Sequence, residues 1–266
     1  MHGAVWKPDG DPGRVERRDE TRTFPGMTTE PLFRDDAYAR ETTARVVSAG
    51  AEGVVLDRTV FYAASGGQPG DTGRILRADG RALAVTDTVK GAEGAILHRL
   101  AEGAAPPAPG ETVTAVIDWD RRHRLMRMHT AMHLLCSLIP GAAVTGGAIG
   151  DGKGRLDFDL PEAPPKEALN EGLAALIAAD HPVTTEWITE QELDANPGLV
   201  RTLSVKPPRG AGRVRLVRIG AGDPPVDLQP CGGTHVRGTG EIGRITVGKV
   251  ENKGRQNRRI ALALEA

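Results

Sequence analysis

The spacing of hydrophobic residues changes character near residue 120 of this chain. Before that point, apolar residues alternate with polar ones in short runs, as at Leu83, Val85, Val113, Ala115 and Ile117. A period of two is typical of strands with one buried face. Segments rich in glycine, alanine and proline separate the runs and mark turns. The first part of the chain is therefore predicted to be a small all-β unit, and the alternation alone does not choose between a barrel and a sandwich.

After residue 120 the apolar residues recur at spacings of three and four. They occupy one face of a helix predicted over 121–139, which ends at Pro140 and Gly141. A second helix is predicted over about 165–179, after two prolines. Alternating strands surround the helices, namely RLDFDL, RVRLVRI, GRITVGKV and RRIALALE.

These elements predict an α+β protein of two domains. We expect a small all-β, barrel-like domain over 28–119, followed over 120–266 by an α/β two-layer sandwich with an antiparallel sheet. Residues 1–27 are polar, rich in glycine and proline and without period, so they are expected to form a disordered extension.

Charge is distributed unevenly along the 266 residues. The formal net charge is −1, yet basic residues cluster in the second half. One cluster opens the first helix and another closes the chain between Arg244 and Arg259. The third has no acidic residue and consists of Arg201, Lys206, Arg209, Arg213, Arg215 and Arg218. Any one cluster could be a solvated face, but three together favour a surface that binds a polyanion.

The sequence also bears on the cellular location of the protein. Two cysteines are too few for a disulfide framework. No apolar stretch approaches the roughly 20 residues of a membrane span, and the N-terminal segment lacks the apolar run of a signal peptide. We expect a cytoplasmic protein without a membrane partner.

Two pairs of residues carry the chemistry. His129 and His133 lie one helical turn apart, which allows two imidazoles to meet one ion but is also common for structural histidines. Cys231 and His235 have the same spacing, and two glycines between them suit a tight turn. A thiolate with three imidazoles is a tetrahedral zinc set, so one Zn²⁺ per chain is predicted. Cys136, which lies near the same helix flank, is interpreted as a core residue rather than a ligand.

A glycine-rich segment, GAIGDGK at 147–153, matches the start of a phosphate-binding P-loop. The next residue is Gly154 rather than serine or threonine, and an alternating strand follows where a P-loop needs a helix. We therefore predict no nucleotide cofactor and interpret the segment as a flexible loop beside the metal site.

The motifs HTAMHLL and CGGTHV, together with VVLDRTVFYAASGGQPGDTG at 54–73, resemble the editing domain of alanyl-tRNA synthetase. They also resemble its freestanding relatives, the AlaX trans-editing proteins, and the Gly-Gly-Gln segment matches their medium-length type. The resemblance covers roughly residues 32–264. Ala63 departs from the proline that many relatives carry after the Phe-Tyr pair.

The resemblance implies hydrolysis of the ester that links a wrong amino acid, serine and possibly glycine, to tRNA(Ala). It implies catalytic or substrate-sensing roles for Thr145 and Gln68, against the alternatives of a loop hydroxyl and a supporting residue. Glycines that would shape the pocket, or merely form strained turns, are Gly66, Gly67, Gly232 and Gly233. Residues expected to contact the tRNA acceptor end are Arg121, Arg122, Arg124, Arg127, Lys249, Lys253, Arg255, Arg258 and Arg259.

Several alternatives stay open at this level. Zinc could activate a water or only position the aminoacyl group, since four protein ligands leave no open position. The module could serve another tRNA, as in threonyl-tRNA synthetase, or be a non-catalytic tRNA-binding module with a structural zinc. Serine or glycine preference is not determined by the sequence, and neither is the oligomeric state, for which a monomer is favoured.

Overall fold

A computed structural model describes residues 28–203 and 212–265. The extension predicted over 1–27 lies outside the described residues. Two members of the third basic cluster, Lys206 and Arg209, lie outside them as well.

The first half of the described chain is a closed barrel. Its strands and two flanking short ones are β1 (Glu30–Pro31), β2 (Glu41–Gly50), β3 (Gly53–Leu56), β4 (Arg58–Thr59), β5 (Gly73–Arg77), β6 (Ala82–Lys90), β7 (Ile96–Leu100) and β8 (Thr112–Ile117). The barrel closes in the order β2-β3-β7-β6-β5-β8 with antiparallel neighbours. This agrees with the barrel-like expectation.

Alternation along the strands fills the barrel. On β8 the side chains of Val113, Ala115 and Ile117 are buried in a cluster that also contains Phe61 and Ile75. Because the barrel is closed, it has no unpaired strand edges, which an open sheet of this size would expose.

The described residues of the second half form three helices and seven strands. They are α1 (Trp119–Ser137), β9 (Ala143–Gly150), β10 (Lys153–Asp159), α2 (Lys166–Ala178), β11 (Val183–Thr189), α3 (Glu190–Ala195), β12 (Arg213–Ile219), β13 (Asp227–Pro230), β14 (Ile245–Gly254) and β15 (Asn257–Leu264). Short 3-10 turns cover Leu32–Arg34, Ala92–Gly94, Pro197–Leu199 and Thr239–Ile242.

The strands of this half form two sheets, where the sequence predicts a single one. One sheet has the order β14-β15-β10-β9 and the other β11-β12-β13, and both are antiparallel. The α+β class is confirmed. The third helix, α3, is short and begins with a capping box at Thr189 and Glu192.

Helix α1 is the central element of the second half. Asp118 caps its N-terminus by accepting a hydrogen bond from the amide of Arg121. From Met128 to Cys136 every residue is buried, so the helix is enclosed rather than amphipathic. Its side chains form one core with both sheets and α2. Among the helices described, none is long and apolar enough to span a membrane.

The segment predicted to be a flexible loop, 147–153, is instead the end of β9 and the turn into β10. Its glycines allow the hairpin to pack closely under α1. A Cβ on Gly154 would lie 2.7 Å from Met128 Sδ and 3.0 Å from Met132 Sδ. Gly154 is the residue that departs from the P-loop pattern. Of the glycines that match the pattern, Gly147 also packs under α1, since a Cβ there would lie 3.5 Å from Met132 Cε, whereas Gly152 has a φ of +72° in the turn.

Candidate metal centre

The four residues predicted from spacing as metal ligands converge in the structure. His129 and His133 project from α1, while Cys231 and His235 lie on the segment that leaves β13. Their ligand atoms all lie within 4.8 Å of one another. The three imidazoles are buried, and Cys231 is half-buried. The fold thus joins two sequence motifs about 100 residues apart into one site.

The distances within the cluster suit a tetrahedral ion. Cys231 Sγ lies 3.4 Å from His129 Nε2 and 3.3 Å from His235 Nε2. Zinc bonds of about 2.3 Å to sulfur and about 2.0 Å to nitrogen place the two ligand atoms about 3.5 Å apart. The donor set and its geometry therefore fit a metal ion, and thiolate with imidazole is a set that zinc favours.

Each imidazole is held by a polar partner at its other nitrogen. His129 Nδ1 lies 2.9 Å from Gln68 Oε1, at the barrel. Gln68 Nε2 donates to Thr234 Oγ1, and Gln68 Oε1 accepts from the Thr234 amide, so the orientation of the Gln68 amide is fixed. His129 Nδ1 must then donate, which leaves the Nε2 lone pair for a metal.

The other two histidines are oriented in the same way. His133 Nδ1 lies 2.8 Å from Asp227 Oδ2, which also accepts from Gln229 Nε2. His235 Nδ1 lies 3.1 Å from Thr130 Oγ1. Partners of this kind fix the tautomer of a ligating histidine and make it a better ligand.

Protonation in the cluster also favours metal binding. Burial raises the pKa of the Cys231 thiol, but the nearby His129 and His235 outweigh burial and hold that pKa well below its usual value. Burial lowers the pKa of His235 to about 3, so this ring is neutral. Burial also acts to lower the pKa of His133, yet its hydrogen bonds to Asp227 and Cys231 raise it to about 10. A metal ion would displace this proton.

The Gly-Gly-Gln segment forms a tight turn against the site. Gly66 and Gly67 have φ of +56° and +85°, a conformation that suits glycine in two-residue hairpin turns. The Ser65 and Gln68 backbones exchange hydrogen bonds across the turn. Gly67 O accepts from the Ile149 amide of β9 at 2.9 Å. The turn therefore fixes Gln68 between the barrel and the second half.

Of the two glycines between the ligands, only Gly233 is confined. A Cβ there would lie 2.2 Å from His129 Cε1 and 2.8 Å from Gln68 Oε1, while a Cβ on Gly232 would meet nothing within 4 Å.

Thr145 lies on β9 at a bulge, where the pairing with β10 shifts between Asp157 and Phe158. Its hydroxyl donates to the Asp157 carbonyl and accepts from Asn257 Nδ2, both at 3.2 Å. Bulges often redirect a side chain beside a functional site. The substrate-sensing role of Thr145 stays a prediction.

The basic residues predicted to contact tRNA differ in their surroundings. Arg122 is fully buried, where it pairs with Asp71 and donates to the carbonyls of Ala37 and Val60. The prediction that Arg122 contacts tRNA is therefore wrong, because the side chain joins helix α1 to the barrel. Charge counting missed this because it cannot distinguish a buried arginine from an exposed one.

The other eight predicted contacts have protein partners or lie exposed. Arg121 donates to the Gly70 carbonyl, Arg127 to the Ile242 carbonyl, and Arg124 pairs with Asp151. Lys249 and Lys253 both pair with Glu251, and Arg259 forms a bidentate pair with Asp157. Arg258 donates to Asn252 Oδ1 and to carbonyls including that of Pro161, and Arg255 is exposed in the β14–β15 turn. Their contact with tRNA stays a prediction.

Sequence reasoning missed Asp227, Thr130 and Arg215. A signal existed for Asp227, since it lies on β13 four residues before Cys231, and the alternation along the strand, extended by one residue past Pro230, indicates the same side for both. Arg215 Nη1 donates to the carbonyls of Cys231 at 2.8 Å and Gly233 at 3.1 Å, and thereby holds the turn between the ligands.

Comparison with known proteins places this site in a family. A family model described as tRNA synthetases class II (A) matches residues 16–121. The model described as the threonyl and alanyl tRNA synthetase second additional domain matches residues 214–261. The first match includes the barrel and the second includes Cys231 and His235.

Curated relatives match nearly the whole chain. Alanyl-tRNA editing protein AlaX-M of Methanosarcina acetivorans is 38% identical over 246 residues, which cover 89% of this chain and 99% of the relative. The protein of the same name from Saccharolobus solfataricus is 35% identical over 87% of this chain and 97% of its own length. Alanine–tRNA ligase of Pyrobaculum aerophilum is 37% identical over 84% of this chain but only 25% of the ligase. The extent and level of these matches establish that the chain belongs to the AlaX-M family of alanyl-tRNA editing proteins.

Proposed function

We propose that this protein is a zinc-dependent deacylase that hydrolyses mischarged tRNA(Ala), acting in trans on the serine ester, with the glycine ester as the second candidate substrate. The observation that carries the proposal is the cluster of His129, His133, Cys231 and His235, with a hydrogen-bond partner on every imidazole, in a member of the AlaX-M family.

Alanine selection creates a need for such an enzyme. A pocket shaped for alanine cannot strongly reject serine, which only adds a hydroxyl, or glycine, which is merely smaller. A second site that hydrolyses the wrong ester restores fidelity. The relatives' name, alanyl-tRNA editing protein, fits this task.

The cluster would hold the metal ion beside the ester that is hydrolysed. A zinc ion held by these four residues would supply Lewis-acid chemistry toward the ester carbonyl or lower the pKa of a water. The chain's own contribution is to hold the donors in place. Asp227 fixes His133, and Arg215 fixes the turn that carries Cys231.

Gln68 acts in this scheme through His129 rather than on the substrate. Its side chain is 2% exposed, and both of its polar atoms are engaged with His129 and Thr234. We therefore assign it a positioning role. Thr145 remains our candidate for sensing the serine hydroxyl.

The test measures ester loss from seryl-, glycyl- and alanyl-tRNA(Ala), and from seryl-tRNA(Thr), with zinc-loaded protein. We expect rapid loss from seryl- or glycyl-tRNA(Ala), with the alanyl ester spared. The double variant His129→Ala/His133→Ala should lose both activity and zinc. His123→Gln is the matched control, since His123 lies on the same helix outside the cluster and should retain both.

Other outcomes would redirect the proposal. Faster loss from seryl-tRNA(Thr) would indicate a threonyl-type editing module. Full zinc content without hydrolysis of any ester would indicate a tRNA-binding module with a structural metal.

A further inference from the structure

The three-stranded sheet presents a row of side chains that leads outward from the metal cluster. Trp187 on β11 pairs directly with Arg215 on β12, and the Cys231 amide donates to the Arg215 carbonyl. Paired residues of an antiparallel sheet share a face, and side chains alternate along each strand. Trp187 on β11 and Arg215 on β12 therefore share one face, and Cys231, which directly follows the last residue of β13, continues the row beside Arg215.

The far end of this row is an exposed aromatic ring. Trp187 is 43% exposed, and within the described residues it and Leu203 are the large hydrophobic side chains that stand out into solvent. It lies on the edge strand of its sheet. Two strand spacings separate it from Cys231, a distance of about 10 Å. Core packing does not require an indole at such a position.

Two arginines lie on the same face as the ring. Arg213, two residues before Arg215, is exposed, and its guanidinium carbon lies 5.8 Å from the centre of the Trp187 ring. Arg215 holds the carbonyls of the cluster turn and adds a second cation between ring and cluster. Asp227, the acid on this face of β13, is buried and engaged with His133. The outer part of the face therefore suits a polyanion.

An aromatic ring flanked by arginines is the combination with which proteins bind unpaired nucleotides. Bases stack on the ring irrespective of sequence, while the cations attract the phosphates. An ester at the 3′ end of tRNA that reaches the cluster brings the preceding unpaired nucleotides toward this row, since Trp187 lies only two strand spacings, about 10 Å, from Cys231.

We propose that Trp187, flanked by Arg213, is a stacking platform for an unpaired base at the 3′ end of the tRNA. The inference rests on the proposed function, because it takes the position of the ester from that function. It adds a substrate contact on β11, away from the helix and C-terminal basic residues named above.

The test compares two RNA hairpins with the acceptor stem of tRNA(Ala), one with its unpaired 3′ nucleotides and one blunt. Binding is measured by fluorescence anisotropy on uncharged RNA, so no hydrolysis is needed. Trp187→Ala should weaken binding of the tailed hairpin about 5- to 150-fold, the range for loss of one base–aromatic stack. Trp187→Phe should stay near the wild-type affinity. Both variants should retain wild-type zinc content.

Thr184→Ala is the matched control, since Thr184 is exposed on the same strand but faces the opposite side. It should bind both hairpins as the wild type does. If Trp187→Ala does not fold, Trp187→Thr replaces it, because a β-branched residue suits an edge strand.

The inference is overturned if Trp187→Ala binds the tailed hairpin as tightly as the wild type does, or loses equal affinity for both hairpins. Failure of the proposed function would look different. A wild-type protein that binds the tailed hairpin through Trp187 but hydrolyses no ester would refute deacylation and leave the platform in place.

Discussion

At the scale of single residues, the site depends on the space that glycine leaves. Gly233 lies against His129 and Gln68, so the ring, the amide that orients it and the turn that carries Cys231 meet at one point. Gly232, one residue earlier in the same turn, faces open space. The two glycines look equivalent in the sequence, and the structure distinguishes them.

Gly233→Ala should therefore displace the His129 ring and lower metal affinity about tenfold or more, the effect of disturbing the support of a ligand. Gly232→Ala should bind metal as the wild type does. Competition with a chelator, followed by metal analysis, measures the difference. Equal affinities in the two variants would show that the His129 ring has room to move without loss of the metal.

The ligands were predictable from sequence, whereas the ring that each supporting residue contacts was not. The spacing within each pair indicates its role, because one helical turn brings His129 and His133 together and one tight turn does the same for Cys231 and His235. Thr130 and Asp227 support these rings from elements whose approach depends on the packed fold. Gln68 was suggested by its motif, but its placement behind His129 needed the structure.

At the scale of elements, the barrel contains a histidine that is buried without charge. His98 on β7 is fully buried; its Nδ1 lies 2.9 Å from the Val54 carbonyl and its Nε2 lies 2.8 Å from Thr59 Oγ1. Thr59 Oγ1 also accepts from the Phe61 amide, so its hydroxyl proton is free to donate to His98. A neutral ring that donates at Nδ1 and accepts at Nε2 satisfies all these contacts.

Burial lowers the pKa of His98 from 6.5 to about 4. Between these pH values the unfolded chain binds a proton that the folded barrel does not, so His98 destabilises the fold as pH falls from 6.5 to 4. The loss should approach about 1.4 kcal/mol per pH unit and total about 3 kcal/mol. His98→Gln, which keeps a donor and an acceptor, should lack this component.

Urea unfolding from pH 4 to 8 measures this effect. The free energy of unfolding of the wild type should fall relative to His98→Gln below pH 6.5, and the difference should be constant above it. His181→Gln, at a histidine outside the barrel, is measured beside it as the control substitution. A constant difference between wild type and His98→Gln over the whole range would show that His98 does not titrate differently on folding.

The helices and strands that could be predicted are those with a regular spacing of apolar residues. Helix α1 and strands such as β8 and β12 have clear patterns, and they form close to the expected residues. Strand β11 was not predicted from the sequence, because most of its residues are exposed and its apolar residues do not alternate with polar ones. Strand β9 was not predicted because its glycines imitate a phosphate loop. The close packing of Met132 against Gly147 of β9, and of Met128 against Gly154 of β10, explains the glycines at these two positions of the hairpin.

At the scale of the whole molecule, a buried ion pair joins the barrel to the helix that carries two metal ligands. Arg122 on α1 is 0% exposed and Asp71, beside the barrel, is 1% exposed. Asp71 also accepts from the Tyr62 amide at 2.6 Å. Gln68, three residues earlier in the chain, reaches across the same junction to His129. The ion pair and the histidine support therefore lie side by side on one connection between the two halves.

Asp71→Asn should leave the Arg122 charge buried without a counterion and lower the free energy of unfolding by about 3–5 kcal/mol. Asp151→Asn is the matched control, because Asp151 pairs with Arg124 on the same helix while both side chains are about half exposed. Exposed pairs contribute about 1 kcal/mol or less, so this variant should unfold nearly as the wild type does. Urea denaturation of the two variants beside wild-type protein measures the contrast.

Replacing the pair by Arg122→Met/Asp71→Leu should recover part of the stability, since no charge is then left buried. An Asp71→Asn variant no less stable than Asp151→Asn would mean that water reaches Arg122 and that the pair does not hold the two halves together.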